Sequence, residues 1–394
     1  MPRLKPGGNG RADTPPKPRA QTPRMPRKKI RYAVVGLGYI SQVAVLPAFR
    51  NARSNSELVA LVSDDPKKLR ELSRRYRAPL TFDYAGYGEC LAREDVDAVY
   101  IALPNHMHRD YAVAAAEAGK HVLCEKPLAV TEKECEEMIA AAGANDVRLM
   151  TAYRLHFERA SLKSVDIVGS GKLGEPRIFE SVFTMQVDEG NIRLAPTEKG
   201  GGPLYDIGIY CINASRYLFR SEPVEVLAVS AKSGDKRFKE SPEMMSCVLR
   251  FPSDRLAAFT CSFGAADTGW YQVIGTRGNL RLDPAYEFAE PLKQRVTIDG
   301  KTRETTYAKR DHFAPELLYF SDCVLNGSDP EPSGREGLAD VRIIRALLKS
   351  ADSGRSIRLD EFARRKRPSL ELEIRRPPIQ PPRLIHAESP SGEN

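Results

Sequence analysis

A chain of 394 residues with 41% apolar content can build two hydrophobic cores, which excludes a peptide-sized or single-module protein. The net charge of +8 suggests nucleic acid, but residues 1–29 hold nine Lys/Arg against one acid, Asp13, so much of the excess belongs to a basic arm, and no nucleic-acid partner is expected. Seven cysteines without a Cys-x-x-Cys pair, and no apolar run of ~18 residues, exclude a disulfide scaffold and a helical membrane protein and point to the cytoplasm.

Residues 1–28 carry seven prolines and almost no large apolar side chains, so they are expected to be a disordered, basic, proline-rich arm. Ile30–Val35 then reads as a strand, followed by Gly36-Leu37-Gly38-Tyr39-Ile40-Ser41 and a helical run to about Ala52. In a Gly-x-Gly-x-x-Ser turn the first glycine allows the tight bend and the second lets backbone approach a pyrophosphate. The small Ser41 lets helix pack on strand. Gly36, Gly38, Tyr39 and Ile40 are therefore candidates for holding a dinucleotide.

A second strand, Glu57–Ser63, ends where the adenosine ribose should lie, and Asp64-Asp65-Pro66-Lys67-Lys68 follows. Ser63 with Lys67 and Lys68 suits a 2′-phosphate, whereas Asp64, 28 residues past Gly36, suits a free ribose 2′-hydroxyl. If Ser63 is the last inward residue, strand alternation points Asp64 away and favours NADP, with NAD as the alternative.

Pro66–Tyr76 reads as a helix, Asp97–Leu103 as a strand, and Asn105 to Gly119 as a loop entering an alanine-rich helix. Lys120 to Glu125 is a short strand that ends in Lys126-Pro127. Thr131 and Glu134 form a capping-box pattern for a helix to about Ala142, and Val147–Thr151 is the next strand. This alternation predicts a doubly wound parallel sheet over residues 29–152. Ligands bind beyond the carboxyl ends of such strands, so Lys126 is delivered to the site, with Pro127 holding it extended.

From Tyr153 the pattern changes to an α+β domain over residues 153–365, with a large, open, mainly antiparallel sheet. A helix to about Val168 and a strand over Arg177–Val187 come first. Gly200-Gly201-Gly202-Pro203 then enters a helix from about Leu204 to Phe219. Strands follow near 223–232, 244–251, 255–263, 270–275 and 279–282. A hairpin at Asp299-Gly300, the pair that a type I′ turn favours, joins 295–298 to 302–306. Helices near 313–326 and 335–352 close the domain, and the Arg/Pro-rich residues 366–394 are expected to be a disordered tail.

Asp206, Tyr210, Asn213 and Tyr217 fall at helical offsets 0, 4, 7 and 11, one polar stripe beside the apolar stripe of Ile207, Cys211, Ala214 and Leu218. Such a stripe is ordinarily a solvated face. Three glycines are a costly entry to a surface helix, however, and reasonable where the entry touches a ligand.

Gly36-x-Gly38, Pro104-Asn105-x-x-His108, Glu125-Lys126-Pro127, Tyr153-Arg154-x-His156 and the run Gly200 to Tyr210 together resemble the Gfo/Idh/MocA oxidoreductase family, nearest to its glucose-fructose oxidoreductase-like members. The resemblance covers about residues 29–360. It implies a Rossmann domain, a nicotinamide cofactor bordered by Leu103, Pro104, Asn105, His108 and Glu125, a sugar or sugar-like polyol as substrate, and a homo-oligomer, dimer or tetramer. Most of the family has histidine where Tyr210 stands, so here a phenol is the expected proton-transfer group. Lys126 would supply the charge that favours its phenolate, and Asp206 would orient the lysine or a sugar hydroxyl. Arg154 and His156 are candidates for holding other hydroxyls. His106 and His108 lack further ligands, and hydride chemistry needs no metal, so none is expected. In the glucose-fructose branch a proline-rich arm lies across a neighbouring subunit, which the arm here resembles. The competing reading is a non-catalytic NAD(P)-binding regulator on the same fold.

Overall fold

The computed structural model describes residues 28–363 and 366–391, so the arm expected over residues 1–28 lies almost wholly outside the described residues. Six short apolar strands form the first sheet: β1 (Ile30–Val35), β2 (Ser56–Val62), β3 (Leu80–Phe82), β4 (Ala98–Ile101), β5 (His121–Glu125) and β6 (Leu149–Ala152). They lie in the order β3-β2-β1-β4-β5-β6, all parallel, with helices between them. Near-continuous apolar runs such as Ala98–Ile101, every residue of it buried, are what a parallel sheet covered on both faces requires. Val35 pairs with Ile101 and Ile101 with Cys124, so three strands end side by side and set Gly36, Ala102 and Lys126 along one edge. β3 and the helix Tyr87–Leu91 are additions to the sequence-based pattern.

The helix expected after Gly38 spans residues 39–48 with a wide π turn at Ser41–Val45. The Thr131 cap is present as a full capping box. Thr131 Oγ1 accepts from Glu134 N at 3.2 Å, and Glu134 Oε2 accepts from Thr131 N at 2.8 Å.

The second sheet has nine strands: β7 (Pro176–Gln186), β8 (Glu225–Ala231), β9 (Met244–Phe251), β10 (Arg255–Ser262), β11 (Gly264–Gly275), β12 (Gly278–Leu282), β13 (Leu292–Ile298), β14 (Lys301–Tyr307) and β15 (Ile357–Arg358). Their order is β14-β13-β12-β11-β7-β10-β9-β8-β15, antiparallel throughout except for β7 with β10. Asp299 and Gly300 both have positive φ (47° and 78°), as a type I′ turn demands. Burial alternates along β9, so one face packs on the helix Ile209–Phe219 while the other leaves Ile178, Leu227, Val229, Val248 and Leu256 exposed.

The polar stripe beyond Leu204 is, as the glycine entry suggested, no solvated face: Asn213 and Tyr217 are buried, and only Asp206 and Tyr210 reach a cleft. One sequence-based expectation is corrected. Residues 366–391 are not a free tail, because Ile385 is 5% exposed and packs into the core under the first sheet. Ile385, with Leu372, Ile374 and Ile379 packed on the same core and hydrogen bonds to Gln42, holds a segment whose composition alone reads as disorder.

Several ties join the two domains. Asn105 Nδ2 donates to Gly200 O at 2.7 Å, and Tyr205 Oη donates to Val130 O at 2.8 Å. The glycine triplet serves this packing rather than a ligand. A Cβ on Gly201 would lie 1.8 Å from Ala195 O, and one on Gly200 2.8 Å from Asn105 Cβ.

Candidate active site

Lys126 leaves the carboxyl end of β5 and crosses to the second domain, where its Nζ donates to Asp206 Oδ1 at 2.9 Å and to Asp206 O at 2.7 Å. Asp206 sits in the π turn Leu204–Gly208 that opens the helix, a wide turn of the kind found at functional sites. Its other oxygen accepts from Arg193 Nε at 2.6 Å. Burial alone would raise the Asp206 carboxyl, but Lys126 and Arg193 outweigh it and hold it far below the usual carboxylate range. Burial alone would lower the Lys126 ammonium, yet Asp206 and then Tyr210 leave it raised. The two directions agree: the pair is fully ionised at neutral pH.

Tyr210 stands one helical turn beyond Asp206, its ring centroid 4.9 Å from Lys126 Nζ and 5.1 Å from the Arg154 guanidinium carbon. Phe183 and Tyr286 flank it, with centroids at 5.7 Å and 5.8 Å. Arg154 is aimed by Tyr286 O and by His312 Nδ1, which lies 3.1 Å from its Nη1. Burial and the Arg154 charge push His312 well down, so its neutral ring accepts that hydrogen bond. Behind Lys126, Glu125 accepts from Tyr100 Oη at 2.9 Å, and burial raises its carboxyl.

At the end of β1, Gly36 has φ +91°, and a Cβ there would lie 2.5 Å from Ala102 O, so only glycine lets the turn pass β4. A Cβ on Gly38 would meet nothing within 4 Å, so this backbone faces open space, the cradle a pyrophosphate needs at a helix start. Ser63 is buried at the end of β2. Asp64 turns away to accept from Tyr84 N at 2.8 Å, and Asp65 caps the helix Pro66–Tyr76 through Lys67 N and Lys68 N. The residues present thus fit a nicotinamide dinucleotide.

Tyr39, Ile40, Leu103, His108, Glu125, Lys126, Arg154, Asp206 and Tyr210 converge on one cleft of about 320 Å³. His108 is buried behind it, its ring nitrogens each 2.9 Å from Leu103 O and Pro127 O, so it pins the loops after β4 and β5. Gly36, Gly38, Ser63, Lys68, Pro104 and Asn105 lie outside this cleft, and Asn105 ties the domains together as described above. His156 is a correction: it does not line this cleft, is 1% exposed, and lies between Glu331 Oε2 (2.6 Å) and Asn213 Oδ1 (2.8 Å). The chain after β6 coils into the 3-10 turn Arg154–His156, so a side chain two residues on from Arg154 points into the domain instead of the site. Arg193 and Tyr286 went unnoticed in the sequence, since neither belongs to a motif and only the tertiary path brings them to Asp206 and Tyr210.

Comparison with known proteins agrees with this fold. Residues 30–153 match the GFO/IDH/MocA model described as an oxidoreductase family with an NAD-binding Rossmann fold, and residues 162–281 match the GFO/IDH/MocA C-terminal domain. A D-xylose 1-dehydrogenase [NADP(+)] of Haloarcula marismortui is 31% identical over 340 residues, covering 84% of this chain and 93% of its own. The aldose-aldose oxidoreductase of Caulobacter crescentus, solved with glycerol, superposes with a TM-score of 0.80 at 35% identity, covering 84% of this chain and 100% of its own. A 3-ketoreductase from Actinomadura kijaniata, solved with NADP and TDP-benzene, gives a TM-score of 0.75 at 26% identity, over 82% of this chain and 98% of its own.

Proposed function

The chain belongs to the GFO/IDH/MocA oxidoreductase family, and on that premise we propose that it moves hydride between NADP and a CH–OH carbon of a sugar or sugar-like polyol. The observation that carries this is the ionised Lys126–Asp206 pair beside Tyr210, on the same strand-end edge as the open backbone of Gly38. The backbone from Gly36 to Ile40 would hold the pyrophosphate at the helix start, with Leu103, Pro104, Asn105, His108 and Glu125 bordering the rest of the cofactor. Once bound, the nicotinamide supplies the hydride chemistry.

Tyr210 takes the proton from the reacting hydroxyl in oxidation and returns it in reduction. Lys126, kept charged by Asp206, donates to the same oxygen and favours negative charge on it as the C–H bond breaks. Arg193 holds the second oxygen of Asp206 so that the carboxylate stays aimed at the lysine, and Arg154 is placed to hold another hydroxyl. A cofactor-binding regulator has no use for this proton-transfer set, which weighs against that alternative.

NADP is favoured over NAD because both acids after β2 are engaged elsewhere, Asp64 by Tyr84 N and Asp65 by the helix cap. That leaves Ser63 and Lys68 for a 2′-phosphate. The exposed apolar face around Leu227, Val229 and Val248 is the surface on which a second copy would pair, giving the homo-oligomer. The seven free, buried cysteines suit a reducing cytoplasm. The test is absorbance at 340 nm with each cofactor across a panel of aldoses and polyols. Reduction of NADP by at least one of them is expected, and no cofactor binding or turnover with any would overturn the proposal.

A further inference from the structure

The C-terminal segment crosses the first domain along the path a dinucleotide would take. It follows Pro377-Pro378-Ile379-Gln380-Pro381-Pro382, whose fixed backbone loses little entropy on docking. Gln42, 0% exposed in the first helix, grips the chain with both ends of its amide: Nε2 donates to Ile385 O at 2.9 Å and Oε1 accepts from Ile385 N at 2.8 Å. His386 Nδ1 then lies 2.7 Å from Asp65 Oδ2, at the end of β2 where the ribose belongs. Ser389, Pro390 and Ser391 line the cleft that holds Lys126, and Pro390 O accepts from Asp188 N of the second domain at 2.9 Å. The segment therefore passes the first helix behind the glycine turn, the ribose end and the reaction centre in that order. It does not fill the cradle, since the space over Gly38 stays open. Nor is it an incidental contact, because without it the buried Gln42 would lose its acceptor's only partner among the described residues. It lies beyond both segments matched by the family models.

We infer that residues 383–391 form a strap over the dinucleotide cleft, with His386 and the Ser389-Pro390-Ser391 turn as its outer wall, so that bound cofactor leaves only when the strap lifts. This rests on the proposed reading of the cleft as a nicotinamide dinucleotide site. The test is the release rate of NADPH from the full chain, followed by loss of its fluorescence on chasing with excess NADP, against two variants. One ends at Pro382; the other is the full chain with Ile385→Asp, which ejects the anchor but keeps every other residue and covers the case in which truncation impairs folding. Release at least about tenfold faster in the variants is expected, as loss of a buried side chain and two hydrogen bonds warrants. Unchanged release sinks the strap alone, and slower release or tighter binding shows that the segment competes with the cofactor. Failure of the full chain to bind NADPH sinks both this inference and the cofactor reading.

Discussion

Replacing Lys126 with Met keeps the apolar stem and removes the ammonium, with the two donors that reach Asp206 O and Asp206 Oδ1 at 2.7 Å and 2.9 Å. Asp206 keeps Arg193 at 2.6 Å, so no carboxylate is stranded, and the stability loss should fall below the ~3–5 kcal/mol of an orphaned buried charge. Turnover should suffer far more. A donor aimed at the oxygen that gains negative charge contributes about 100-fold or more, or about 2.7 kcal/mol of barrier at 1.36 kcal/mol per tenfold. Since the glycine turn and β2 end are untouched, cofactor affinity should change by less than about threefold. Stopped assays of kcat on the best sugar, with fluorescence titration of NADPH, separate the two quantities. Tyr210→Phe should give a similar kcat loss by removing the proton acceptor itself. Wild-type turnover in the lysine variant would refute the assignment, and a matched loss of cofactor affinity would show that Lys126 acts in binding.

In Asp206→Asn the ammonium of Lys126 loses the partner that overrides burial, so the alkaline limb of the kcat–pH profile should move to lower pH; a profile unchanged from wild type would show that the lysine's charge does not limit turnover. Burial pulls His156 down and Glu331 more than offsets this, so its folded value is raised. Its contribution is then full below about pH 6.5 and is lost as pH rises through the folded value. Urea unfolding should find His156→Phe less stable by about 2 kcal/mol near pH 6, with a smaller gap near pH 9 and an unchanged KM; a raised KM would return His156 to the substrate. Competitive titration should give tighter binding of NADP than NAD, and the reverse would mean that Asp64 or Asp65 serves the ribose. A Leu227→Asp, Val229→Asp double variant should sediment as a smaller species than wild type if the open sheet face is the subunit contact.

The Rossmann sheet was legible because each parallel strand is a short apolar run between helix signals, and Thr131 with Glu134 announced its helix by chemistry local to four residues. β3 escaped notice because three half-exposed residues carry no periodic signal, and the first half of β11 because Gly264 to Gly269 is small and polar. Lys126, Asp206 and Tyr210 could be read from a strand end and a helical stripe. Arg193 could not, since its place depends on how the loop after β7 returns over the helix entry. His156 was misplaced for a related reason: sequence proximity to Arg154 says nothing about direction within a turn of three residues. The docked tail was not legible because composition averages over a segment, whereas a few scattered apolar side chains and a glutamine amide from the first helix fix where it docks.

The hydrogen bonds from Asn105 to Gly200, Tyr205 to Val130 and Lys126 to Asp206 bolt the cofactor half to the substrate half. Such a frame works as a jig: it gauges the span from the glycine turn to the phenol. A chimera that grafts a new substrate half onto this nucleotide half inherits the gauge only if it brings its own mates for Asn105, Val130 and Lys126. Without them the halves would dock at an angle of their own choosing, with every catalytic group present and none in reach.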